Sequence, residues 1–256
     1  MTRRAVSVAL AAALAPGQTP PGKAAYEAFS AWRKSNGGGG NWDETLAAYR
    51  NKLRAGGMPA AAIDRTLRAI EAYDEAELYD GIYAGPSTFD TEPNKLLVEA
   101  VQGRRPGKAL DIAMGQGRNS VFLAEKSWAV TGFDVSEAGI RAARRLARTR
   151  SVAIEAVLAS DEDFEFGESR WDLIAQIYAI EKRSVHRIRA ALKPGGLVVV
   201  EAGHVSASGA PFEYASGELA GIFRGFRVRR YEEAVDRPDW GKERIRLVRL
   251  IAEKPG

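Results

Sequence analysis

The segment that most narrows what this chain can become is Ala109-Leu-Asp-Ile-Ala-Met-Gly-Gln-Gly-Arg-Asn119. A short apolar run ends in a Gly-x-Gly turn, and an amphipathic helical pattern follows from Val121 to Lys126. Glycine lets a backbone approach a ligand closely, and the start of a helix presents N–H groups that no helical carbonyl uses. The next apolar run, Ala129-Val-Thr-Gly-Phe-Asp134, ends in an acid. A carboxylate there can accept both hydroxyls of a ribose. Strand, glycine turn, helix, strand and acid in this order describe a βαβ unit built for an adenosine-type ligand.

The rest of the chain extends that unit. Ala153 to Leu158, Trp171 to Ile177 and Gly196 to Glu201 read as further strands, with helical stretches between them. Such alternation predicts an α/β fold with a Rossmann-like, doubly wound, mainly parallel sheet of seven strands. Phe226 to Tyr231 and Ile245 to Ala252 alternate about a polar loop, which predicts an antiparallel C-terminal hairpin. Upstream, residues 23–79 carry helical stripes: Tyr26, Phe29 and Trp32, then Leu46, Tyr49 and Leu53, then Ile63, Leu67 and Ile70. Glycines at 37–40 and 56–57 separate them. Asn41 is placed to cap the second helix. Tyr79 to Asp90 reads as a turn-rich crossing, and Pro93-Asn94 opens a helix from Lys95 to Val101.

Composition removes several kinds of chemistry. The chain has no cysteine and only two histidines, His186 and His204. Disulfides, thiolate nucleophiles and cysteine zinc sites are excluded, and no metal site is expected. A net charge of +4 is too mild to indicate a nucleic-acid partner. At the N-terminus, a basic Met1-Thr-Arg-Arg4 precedes an apolar run, Ala5 to Ala15, that ends Ala13-Leu-Ala15. Residues 1–15 read as a signal peptide for export to the periplasm or medium, followed by a linker over 16–22. The run is too short to span a bilayer. A small-residue tail on a cytoplasmic protein is the alternative.

A nicotinamide-cofactor domain competes for the glycine turn, because Ser120 at the third position of the fingerprint is small enough to serve. Two features oppose it. Asp111, late in the first strand, would repel a pyrophosphate but suits the cationic amino end of a methionine moiety. Lys193-Pro-Gly-Gly196 makes a sharp turn into the last central strand.

Together, Leu110-Asp-Ile-Ala-Met-Gly-Gln-Gly-Arg-Asn-Ser, Val130-Thr-Gly-Phe-Asp-Val-Ser, Trp171-Asp-Leu-Ile and Leu192-Lys-Pro-Gly-Gly resemble the ordered motifs of class I S-adenosylmethionine-dependent methyltransferases. The Gly-Gln-Gly-Arg-Asn variant is similar to the small tellurite-resistance-type branch, which methylates small soluble acceptors. The resemblance covers residues 90–256 and implies a domain over 80–256 with its core at 108–256. It departs from the family at Ala113, where glycine is usual, and at Met114, where cysteine is usual.

The resemblance implies S-adenosylmethionine as cofactor and assigns roles. Gly115 and Gly117 approach the methionine and ribose portions, Asp134 holds the ribose and Asp111 orients the amino group. Arg118 and Asn119 contact the methionine carboxylate, or serve as a solvated charge and a helix cap. Asp161 is favoured over Asp163 for the adenine amine. Val135 flanks adenine or merely ends its strand. Gln176 is placed with the cofactor residues, and Tyr178 and His204, at neighbouring strand ends, are the catalytic candidates. His204 has the right chemistry for a base, and a backbone-bonded loop histidine is the alternative. Tyr79, Tyr83 and Phe89 form a lid over the sulfonium through cation–π contact or simply pack. The hairpin arginines are expected to face solvent. The expected activity is methyl transfer to a small soluble nucleophile such as a thiol or chalcogen. A noncatalytic sensor that binds the same cofactor and a nicotinamide oxidoreductase are the competing readings.

Overall fold

The computed structural model describes residues 22–36, 41–85, 89–179, 185–205 and 213–256. The expected signal peptide, nearly all of the linker and the glycine run at 37–40 lie outside the described residues. The chain divides into two compact units, residues 1–75 and 76–256.

In the first unit, α1 (Lys23–Ser35), α2 (Trp42–Ala55) and the first part of α3 (Ala60–Ala84) form a small helical core. Its buried side chains are Phe29, Leu46, Tyr49, Leu53, Ile63, Leu67 and Ile70, residues drawn from the three stripes seen in the sequence. Asn41 caps α2 by accepting the Glu44 N–H at 2.8 Å. The helix α3 continues through Ala84, across Tyr79 to Tyr83, where a turn-rich crossing was expected. No glycine–proline pair interrupts that stretch until Gly85, so local turn chemistry gives way to helix propagation.

The second unit is an α/β sheet. Its elements after α3 are α4 (Lys95–Val101), β1 (Lys108–Ile112), α5 (Arg118–Glu125), β2 (Ala129–Asp134), α6 (Glu137–Thr149), β3 (Glu155–Leu158), β4 (Trp171–Ile177) and α7 (Val185–Ala191). They continue with β5 (Leu192–His204), β6 (Glu213–Tyr214), α8 (Glu218–Ile222), β7 (Arg227–Asp236) and β8 (Ile245–Glu253). Seven strands run in the order β3-β2-β1-β4-β5-β8-β7, and the two-residue β6 pairs with β5 off this path. Strands β1 to β5 pair in parallel, whereas β8 runs antiparallel to β5 and β7. Val198, Val199 and Val200 of β5 are fully buried, as a central strand covered on both faces requires. One core packs Leu110, Ile174, Val198 and Val200 against Trp171, Ile188 and Phe223. The opposite face packs Ala109, Leu173 and Val199 against Leu97, Leu123 and Trp128.

The Lys193-Pro-Gly-Gly196 turn appears as an irregularity at the start of β5. Leu192 pairs with Trp171 and Leu197 pairs with Leu173, so the intervening residues bulge out. Gly195 there has φ +76°, a conformation that favours glycine. Strand β7 runs on to Asp236, well past the expected Tyr231, because every residue from Arg230 to Asp236 has a partner on β8.

Candidate functional site

The glycine turn, Asp111 and Asp134 come together at one end of the sheet. Ile112 pairs with both Phe133 and Gln176, so β1, β2 and β4 finish level with one another. Asp134 is buried, and its two oxygens accept backbone N–H groups from Gly115 at 2.8 Å and Ser136 at 2.9 Å. Each carboxylate oxygen carries a further lone pair, which is what a vicinal diol needs. Asp111 is 1% exposed and accepts the Ser120 hydroxyl at 2.6 Å. Ser120, the third small residue of the turn, thus orients an acid.

Both acids are raised to about 6, in each case first by burial. The Ser120 hydroxyl and Arg118 partly oppose this at Asp111, and the N–H groups of Ser136 and Gly115 oppose it at Asp134. Two desolvated carboxylates at one strand end are costly unless a cation or hydroxyl donors meet them. The arrangement fits a ligand with a ribose and a cationic amino acid portion.

The glycines act differently from one another. A Cβ on Gly115 would lie 2.7 Å from the Tyr83 hydroxyl, so this backbone passes directly beneath α3. A Cβ on Gly117 would lie 2.7 Å from the Cβ of Ala143. Gly117 begins α5 at φ +83°, and its lack of a side chain lets α5 and α6 approach. Ala113 is exposed with φ +51°, so the position where glycine is usual does adopt a glycine-like conformation. Tyr79 stacks on Tyr83, and Phe89 meets Tyr83 at a tilt, with ring centroids 5.8 Å apart at each step. Asp80, between the two tyrosines on α3, accepts the Ser136 hydroxyl at 2.5 Å and the Ala138 N–H at 2.8 Å. It thereby ties α3 to the turn after β2.

Arg118 and Asn119 are internal. Asn119 is buried and accepts the Asn94 N–H at 2.9 Å. Arg118 pairs with Asp239 at 2.5 Å and donates to the Glu92 carbonyl. Asn94 caps α4 and also donates to Glu201 at 3.0 Å and Asp239 at 2.9 Å. Arg249 completes this network with a 2.6 Å bond to Glu201. Asn94, Glu201 and Asp239 connect the glycine turn to the hairpin. Pro93-Asn94 marks a helix start in the sequence, but nothing local marks Asp239.

The remaining candidates are spread along the strand ends. Val135 is half-buried, and its N–H faces Asp134. Asp161 follows β3 in a turn whose carbonyls at Asp161 and Phe164 accept from Arg187. Asp163 is engaged locally with the Ser160 hydroxyl at 2.8 Å. Gln176 is buried; its amide nitrogen lies 3.4 Å from the Ala179 carbonyl, and its side chain faces the Tyr214 hydroxyl. Tyr178 donates its hydroxyl to Glu201 and meets Trp240 edge-on at 4.2 Å. Burial and the Glu201 carboxylate push Tyr178 far above the usual phenol range, so it serves as a neutral donor. His204 contacts the Val205 carbonyl through Nδ1 at 3.1 Å and Ser216 through Nε2 at 3.0 Å. His186 is exposed on α7.

Arg227, Arg229 and Arg246 of the hairpin are exposed, as expected, while Arg230 and Arg249 are partly buried. Arg227 and Arg229 pair with Glu253, Arg230 with Glu99 and Glu232, and Arg246 with Glu233. Arg249 is only 13% exposed and pairs with Glu201, Glu232 and Asp236. Alternation along the strand does not leave them free, because acids on the partner strand and on α4 meet them.

The family model described as "Methyltransferase domain" matches residues 109–196, from β1 to the bulge of β5. In that stretch the chain is similar to a methyltransferase domain. Among curated proteins it is similar to ribosomal RNA small subunit methyltransferase C of Alcanivorax borkumensis, at 29% identity over 141 residues. That match covers 50% of this chain and only 42% of the relative's length. The fold is shared with 1,6-didemethyltoxoflavin-N1-methyltransferase of Burkholderia thailandensis, solved with bound 1,6-didemethyltoxoflavin and S-adenosylhomocysteine. The TM-score is 0.58 at 18% identity, covering 74% of this chain and 89% of that one. It is shared as well with TehB of Haemophilus influenzae, at TM-score 0.55 and 21% identity, covering 62% and 61%. Among the described residues no helix is long and apolar enough to cross a membrane.

Proposed function

We propose that this protein transfers a methyl group from S-adenosylmethionine to a small soluble nucleophile, a thiol, chalcogen or similar group. The observation that carries the reading is the pair of buried acids, Asp111 and Asp134, on neighbouring strands beside Gly115. Bound S-adenosylmethionine supplies an electrophilic methyl carbon on a sulfonium. The chain's own residues do the rest. Asp134 accepts the ribose hydroxyls, Asp111 orients the ammonium, and Gly115 gives the backbone room. Tyr83 and Phe89 cover this end and limit water. The acceptor's lone pair forms the new bond to carbon as the carbon–sulfur bond breaks with its electrons to sulfur. This displacement needs alignment and, for a protonated acceptor, a base.

The acceptor class is supported by charge. The five hairpin arginines are all engaged by acids, so they form no open basic stripe of the sort that tracks a phosphate backbone. A fold shared with a methyltransferase named for 1,6-didemethyltoxoflavin supports that reading, and the ribosomal RNA relative makes RNA the acceptor to test against it. Calorimetry with S-adenosylmethionine, S-adenosylhomocysteine and NAD should show binding of the first two alone. Methyl-labelled cofactor is then offered to thiols, selenols and chalcogen oxyanions, with structured RNA in parallel. Label in a small product supports the reading, and label in RNA alone sinks the acceptor class.

A further inference from the structure

A second cluster of titratable groups lies beyond the cofactor residues, at the C-terminal end of β5. His204 of β5, Ser216 before α8 and Glu233 of β7 form a continuous chain. The His204 Nε2 to Ser216 Oγ distance is 3.0 Å, and Ser216 Oγ to Glu233 Oε2 is 2.8 Å. Glu233 Oε2 is 3.8 Å from Nε2 itself. We propose that Ser216, His204 and Glu233 form a proton relay that deprotonates the methyl acceptor. In it Ser216 touches the acceptor, His204 holds the proton and Glu233 is a positioning residue. The proposal rests on the reading of the protein as a methyltransferase with a proton-bearing acceptor.

Hydrogen-bond bookkeeping gives the relay its direction. The Val205 carbonyl can only accept, so Nδ1 carries a proton in either charge state of the ring. Nε2 is therefore the atom that gains or loses one. Ser216 has a single hydroxyl proton and two neighbours that can accept it. With a neutral imidazole that proton points at Nε2. With an imidazolium, Nε2 donates to Ser216 Oγ and the serine proton turns to Glu233.

Access decides which member meets the acceptor. The side chains of His204 and Glu233 are 16% and 13% exposed, and both ring nitrogens are engaged. Ser216 is the exposed member. In the reactive step the acceptor's proton passes to Ser216 Oγ while the serine's own proton passes to His204 Nε2. The acceptor's lone pair then bonds to the methyl carbon, the carbon–sulfur bond breaks toward sulfur, and the imidazolium later releases its proton to water. Glu233 stays ionised throughout, held down at about 2 by the Tyr231 hydroxyl, the Gly217 N–H and Ser216.

Other charged groups face the cluster. Arg246 of β8 donates to Glu233 Oε2 at 2.7 Å and reaches Ser216 Oγ at 3.4 Å. Glu218 of α8 accepts the Ala215 N–H at 2.8 Å. Glu213 of β6 lies beside Gly203, and Tyr231 bonds Glu233 from its own strand.

The test uses the full chain, whose two histidines give only two imidazole signals in NMR. Neutral His204 should carry its proton on Nδ1. Ser216→Ala should shift the His204 Nε2 resonance, because Nε2 loses its hydrogen-bond partner. His186 should not move. A proton on Nε2 in the neutral ring, or a His204 Nε2 resonance indifferent to Ser216→Ala, overturns the relay. With an acceptor identified from the panel, Ser216→Ala should lower kcat about a hundredfold and leave cofactor affinity unchanged. An unchanged kcat overturns the role of Ser216. An uncoupled His204 in an active enzyme defeats the relay alone, whereas a coupled His204 in a protein that methylates nothing defeats the functional reading beneath it.

Discussion

The two halves of the sheet treat their acids in opposite ways. In the β3-β2-β1 half, Asp111 and Asp134 are buried with hydroxyl and backbone N–H partners, and both are raised to about 6. In the β5-β8-β7 half, Glu232, Asp236 and Glu253 are met by arginines and lie below the usual carboxylate range. The first half keeps carboxylates short of a counter-charge, which a cationic ligand can supply. The second half satisfies its acids internally and uses them to hold a hairpin against the central strand. A fold can thus use the same residue type for binding at one edge and for assembly at the other.

The largest effect that tests this contrast lies on the assembly side. Arg249 bonds Glu201, which is 3% exposed, at 2.6 Å and Asp236 at 2.8 Å. Arg249→Met should cost about 3–5 kcal/mol in denaturant unfolding, because it strands a buried carboxylate. Adding Glu201→Gln should recover much of that loss. A single variant costing under about 1 kcal/mol would show that the strand ladder alone holds the hairpin.

Next comes the binding side. Asp134→Ala removes the acceptor for two ribose hydroxyls and should weaken S-adenosylmethionine by about 100-fold, or roughly 3 kcal/mol, in calorimetry. A circular-dichroism spectrum matching the parent's checks that the variant, which loses the acceptor for the Gly115 and Ser136 N–H groups, still folds. Unaltered affinity would remove Asp134 from the ribose.

Legibility followed the same divide. The glycine turn, Asp111, Ser120 and Asp134 lie within 24 residues of one another in sequence, because a βαβ unit brings neighbours in sequence together at one strand end. Strand positions, the α4 start and the parallel order were readable for the same reason. Asn94, Glu201, Asp239 and Arg249 meet across 107 residues in the case of Asn94 and Glu201, and across 121 for Arg118 and Asp239. No local spacing encodes such a meeting. Ser216 lies only 12 residues from His204 and 17 from Glu233 along the chain, but no motif joins them, and the acids that meet the exposed hairpin arginines leave no mark in the alternation.

The raised acids make a pH prediction with a definite sign. A folded-state value near 6 against about 3.9 unfolded means that the folded chain binds protons more tightly between those values. Cofactor-free stability should therefore fall as pH rises from about 4 to about 6, by on the order of 3 kcal/mol for each acid. Binding of the cationic cofactor should run the other way and weaken as pH falls through about 6. Asp111→Asn should stabilise the free protein at pH 7.5 by roughly 2 kcal/mol and flatten both profiles while reducing affinity. A thermal scan across pH in which parent and variant stay parallel would show that Asp111 is not desolvated as its burial implies.

The smallest effect concerns Ala113, where the turn departs from the glycine usual in the family pattern. Its φ of +51° costs an L-residue about 1 kcal/mol, and glycine would relieve this while adding some freedom to the unfolded chain. Ala113→Gly should therefore stabilise by about 0.5 kcal/mol, or roughly 1–2 °C in Tm. Ser127, at φ +66° in the turn between α5 and β2, is the control, because it carries the same strain without belonging to the glycine turn. If both glycine variants gain stability and neither changes cofactor affinity, Ala113 is strain without consequence for binding. If Ala113→Gly alone also tightens the cofactor, the methyl group of Ala113 stands in the ligand's approach. The binding half would then be restrained by sterics as well as by the charge that sets it apart from the hairpin.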